Sequence, residues 1–78
     1  MAESQSFFEK MLHAVLADPA DAEADTLRAR VVLNSAGSDA VEAAIAQGDA
    51  FASALWLLAQ GETRAQLAAR VEAANPPN

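Results

Sequence analysis

Residues 50–71 read AFASALWLLAQGETRAQLAARV. The stretch reads as two helices joined by a glycine turn. Asp49 suits the N-cap of the first helix, which ends at Gln60 before Gly61. Phe51, Leu55 and Leu58 form one stripe, and Leu57 and Trp56 lie off it on opposite sides. Nine of the twelve residues from Asp49 to Gln60 are apolar. A helix that apolar belongs at the centre of a core. The second helix is announced by TRAQ, with Thr63 as N-cap and Gln66 as its capping-box partner. Leu67 and Val71 give it a narrow stripe, padded by Ala68 and Ala74.

The rest of the chain carries the same signature. Alanine is the commonest residue, β-branched residues are few, and there is no strict alternation. A first helix over about 6–17 has Phe8, Met11, Leu12, Val15 and Leu16 at helical spacing. Asp18 then suits an N-cap and Pro19 the first helical position, which predicts a second helix from Pro19 to about Ser35. Its acids Asp21, Glu23 and Asp25 come early and its bases Arg28 and Arg30 late, matching the helix dipole. A short third helix follows, capped by Ser38 or Asp39, with Asp39 and Glu42 resembling a capping box and Val41 and Ile45 facing inward. Gly37, Gly48 and Gly61 read as helix stops. The predicted fold is all-α, a compact bundle of four or five short helices. It forms one small domain of 78 residues with the fourth helix central. Residues 1–5 and 75–78 are expected to be disordered, the latter because Pro76 and Pro77 end the helix.

Composition narrows the function classes. There is no cysteine, so thiolate catalysis and thiolate metal sites are excluded. His13 is the only histidine, which removes hydrolytic triads and His-rich metal sites from the chain alone. The crowded acids Asp18, Asp21, Glu23 and Asp25 lack the glycine of a calcium loop and read as caps and dipole-matched charges. No phosphate-binding glycine loop is present. Catalytic, cofactor-binding and metal-ligating residues are therefore all expected to be absent, and the chain is read as a non-enzyme. MAESQS has no basic run, and the longest apolar run, Ala54–Ala59, is too short to span a bilayer. The expected location is cytoplasmic, without membrane association.

LLAQGETRAQLAARV resembles the scaffold half of a LuxR-type helix-turn-helix, with Leu57, Leu58, Gly61, Leu67 and Ala68 matching its pattern. The resemblance implies a DNA-binding regulator. Against it, the chain runs from there into EAANPPN rather than a recognition helix. Only Arg64 and Arg70 are basic in the stretch, and the net charge of −6 repels phosphate. Nucleic acid is therefore ranked low among the partners.

The apolar surplus points elsewhere. On the second helix, Ala20, Ala24, Leu27 and Val31 form one face. Ala22, Ala29, Leu33 and Ala36 form another, with Val32 at its edge. Trp56 points towards Ser53 and Gln60, away from the Phe51 stripe. Two apolar faces in so small a domain lead to the expectation that part of this surface meets another chain. The expected function is protein–protein interaction, as an acidic adaptor, inhibitor or assembly factor for a partner with a basic surface. Trp56, Leu33, Val32, Ser53 and Gln60 are its expected contact residues. The alternative is a homo-oligomeric structural subunit.

Overall fold

In the computed structural model, residues 7–74 are described, and they form five helices with no strand among them. Helix α1 spans Phe7–Leu16, α2 Ala22–Ala36, α3 Ser38–Ala46, α4 Ala50–Ala59 and α5 Arg64–Ala74. The disorder expected for 1–5 and 75–78 lies outside the described residues.

The all-α bundle is the predicted one, and α4 packs against each of the other four helices. Its Leu55 and Leu58 are fully buried, with Phe8, Leu12 and Val15 of α1 and Val41 of α3 around them. The broadest seam lies between α2 and α4. Ala29 on α2 and Ala52 on α4 are both wholly enclosed. Their small side chains let the two backbones approach closely, so dispersion contacts are dense although little side-chain volume is spent.

Local punctuation explains the helix ends. After α3, Gly48 N–H donates to Ile45 C=O and Asp49 N–H to Ala44 C=O. After α4, Gly61 N–H donates to Leu58 C=O and Glu62 N–H to Leu57 C=O. Both are Schellman closures, which need a positive φ, and Gly48 and Gly61 supply 88° and 105°. The Asp49 carboxylate accepts from Phe51 N–H at 3.0 Å and Ala52 N–H at 3.2 Å, so one residue closes α3 and opens α4. The Thr63–Gln66 capping box forms in both directions. Gln66 N–H donates to Thr63 Oγ1 at 3.2 Å, and Thr63 N–H donates to Gln66 Oε1 at 2.9 Å.

Two predicted starts are displaced. Helix α2 begins at Ala22, not Pro19, and its N-cap is Asp21, whose Oδ1 accepts from Ala24 N–H at 3.3 Å. Asp18 is drawn away from capping by long-range partners. Its carbonyl accepts from Arg64 Nη2 at 2.9 Å, and its carboxylate lies 3.3 Å from Arg28 Nη2. The Asp39–Glu42 capping box does not form. Helix α2 passes into α3 through Gly37 alone, so Ser38 is already helical and no side chain caps α3. Gly37 N–H instead donates to Leu33 C=O, and its C=O accepts from Val41 N–H.

Candidate functional site

Where α2, α3 and α4 diverge they leave a groove of about 460 Å³. Its apolar surface comes from Leu33 on α2, Val41 and Ile45 on α3, and Trp56 on α4. Val41 is buried, Leu33 and Ile45 are half-buried, and the Trp56 indole is 44% exposed. Leaving a Trp uncovered is unfavourable in water, since its burial is among the largest apolar gains available to a side chain.

Charged and amide groups edge this groove. Arg30 Nε donates to Ala59 C=O at 3.0 Å, which lays the guanidinium across the C-terminal end of α4. Glu42 contributes a carboxylate from α3 and Gln60 an amide from the end of α4. Trp56, Leu33 and Gln60 thus share one site. Val32 does not: it lies on the α1 side of α2 with Met11, Ala14 and Val15. Ser53 is half-buried on α4 and does not line the groove. Ile45 and Arg30 belong to the groove but were not legible as such. Ile45 reads as a core residue of α3, and Arg30 as a dipole-matched base.

A second cluster, built on Asp25 of α2 and Arg64 of α5, is polar. Asp25 is 1% exposed and receives both arms of the Arg64 guanidinium, Nε to Oδ2 at 2.8 Å and Nη2 to Oδ1 at 2.9 Å. The same guanidinium donates to the carbonyls of Val15 at 3.3 Å, Leu16 at 3.4 Å and Asp18 at 2.9 Å. One side chain from the first turn of α5 therefore satisfies the open carbonyls at the end of α1 and a buried carboxylate on α2. The hydrogen bonds from Arg64 hold the Asp25 carboxyl below the usual aspartate range. They outweigh desolvation, and the charges of Arg64 and Arg28 add to them. Arg64 is shifted upward in turn, first by its bond to Asp25. An acid so buried and so fully paired has neither access nor proton affinity for acid–base catalysis. Its arrangement is that of a structural clamp.

Asp25 does lie in the acid-rich first turn of α2, as expected, but it is buried and paired there, which the reading as a dipole-matched charge did not include. The chain offered no local signal for it, because its partner is 39 residues away. Arg70 is engaged too: its guanidinium grips the Glu62 carboxylate, with Nε to Oε1 at 2.9 Å, and holds Glu62 below its ordinary value. Both bases of the LuxR-like stretch are committed to carboxylates of the same chain.

Among the described residues, no three His, Asp or Glu side chains converge as a metal site, and no helix is long and apolar enough to cross a membrane. His13 is exposed on α1, edge-on to Phe51 with ring centroids 6.3 Å apart. Set against protein-family models, curated proteins and solved structures, the chain finds no match in any of the three comparisons.

Proposed function

We propose that this chain is a small acidic protein–protein interaction module, an adaptor, inhibitor or assembly factor. It receives an apolar side chain or helix face of a partner in the α2–α3–α4 groove. The observation that carries the reading is the exposed Trp56 beside Leu33 and Ile45, an aromatic anchor at the mouth of a concave apolar surface. The partner's contact surface is apolar at its centre and basic around it. A chain of net charge −6 attracts such a surface over long range, and Glu42 stands ready at the groove itself.

Trp56 is the only tryptophan, so its emission reports the groove directly. A chain bearing a photo-crosslinker at Gln60 should capture a partner that an otherwise identical chain labelled at Ala69, on α5, does not. Adding the partner should shift Trp56 emission to the blue. Trp56→Ala should abolish capture while leaving the helical circular dichroism unchanged, since the side chain is exposed. Equal capture at both positions, or capture indifferent to Trp56→Ala, would remove the groove from the function.

A further inference from the structure

Helix α2 turns Asp25, Ala29, Val32 and Leu33 towards the other helices. It leaves Leu27 and Val31 on its outward face, 60% and 64% exposed. These two are one turn apart, so they form a single apolar ridge. Beside the ridge runs a depression of about 450 Å³ lined by Glu23, Thr26, Leu27, Arg30 and Gly61. Its charged side chains, Glu23 and Arg30, have opposite sign and stand two helical turns apart along one flank of α2. Leu27 lies between them.

We infer that a second copy of this chain covers this face, the two α2 helices packing antiparallel about a two-fold axis near Leu27. Such an axis brings the same flank of each helix together, running in opposite directions. Glu23 of one copy then faces Arg30 of the other, and the pairing occurs twice. A parallel pair would instead set Glu23 on Glu23 and Arg30 on Arg30. The Leu27 ridge of each copy enters the depression of the other, where Gly61 contributes no side chain. Antiparallel alignment also sets the helix dipoles favourably. A uniformly basic or acidic partner would satisfy one of the two charges and repel the other, whereas a copy of α2 satisfies both. Arg30 edges both this face and the Trp56 groove, whereas Glu23, Leu27 and Val31 lie outside the groove, and the inference does not depend on what the groove binds. A single helix pair buries less than the ~800 Å² per partner of a standard stable complex. The dimer is accordingly a weak one.

Sedimentation equilibrium of the full chain, from micromolar to near-millimolar concentration, tests the inference. The natural sequence should show a reversible monomer–dimer equilibrium. Leu27→Asp should raise the dissociation constant by about tenfold or more with unchanged helical circular dichroism, because the residue is exposed. Glu23→Arg and Arg30→Glu should each weaken the dimer by opposing like charges. Mixed in equal amounts, these two variants should associate, because both crossing pairs regain opposite signs. A monomer at every concentration overturns the inference. So does a dimer indifferent to Leu27→Asp, a dimer dissolved by Trp56→Ala, or a failure of the two charge variants to associate when mixed.

Discussion

Helices α4 and α5 are neighbours in sequence and are held in place by opposite physics. Helix α4 buries Ala52, Leu55, Leu58 and Ala59 in a dry interior. Helix α5 buries none of its described side chains: Leu67 is half-buried, and Val71 is 60% exposed over a slot beside Leu12, Leu16 and Ala54. Beyond the packing of Leu67 against the core, what fixes α5 is the reach of Arg64 into Asp25 and three backbone carbonyls. Apolar burial is non-directional and tolerates small shifts. A bidentate ion pair is directional and does not. The bundle therefore has a hydrophobic centre and one electrostatically pinned helix, and the two should fail differently.

The sharpest way to break this contrast is Asp25→Ala. It leaves the partly exposed Arg64 guanidinium without its counter-charge and takes away the anchor of α5 on α2. The melting temperature should fall, and at about 4–8 °C per kcal/mol for a domain of this size even a small loss is read easily. Replacing both members, Asp25→Leu with Arg64→Met, should cost less than Asp25→Ala alone, because no charge is then stranded. Thermal melts followed by circular dichroism measure both. If the double variant were the less stable, the pair would be contributing net stability rather than only penalising its own disruption.

Leu55→Ala comes next. It removes a fully enclosed side chain from α4 and should cost about 3 kcal/mol in urea titration. In native-state hydrogen exchange this loss should appear across α1, α2 and α4 together. Removing the Asp25 clamp should instead speed exchange in α5 above all.

Acid separates the two helices further. The folded pKa of Asp25 lies below its unfolded value. Its contribution is therefore complete above the ordinary aspartate value, about pH 4, and disappears as pH falls through the lower folded value. Stability should drop on acidification below about pH 4, and Asp25→Ala should flatten that drop. An equal acid response in the variant would assign the loss to other carboxylates. The smallest effect is expected at Thr63→Ala, which opens the capping box of α5 at a cost of about 1 kcal/mol. The same change at α4, Asp49→Ala, should be of similar size but felt globally, since α4 touches every other helix.

Everything readable in advance was local in the chain. Helical stripes, the glycine closures at 48 and 61, the Asp49 cap and the Thr63–Gln66 box all depend on residues within about four positions of one another. Backbone hydrogen bonding and rotamer preference act at that range whatever the rest of the molecule does. Three matters lay outside it. Packing chose which of the two apolar faces of α2 turned inward. Ala29 could approach α4 closely, and Leu27 and Val31 were left outside. Long-range pairing moved the start of α2, because Asp18 found Arg28 and Arg64 instead of a cap. Above all, the burial of Asp25 required Arg64 to arrive from the far end of the chain. A carboxylate can leave water only when a partner of opposite charge is brought to it in three dimensions, and no count of neighbours along the sequence reveals that meeting.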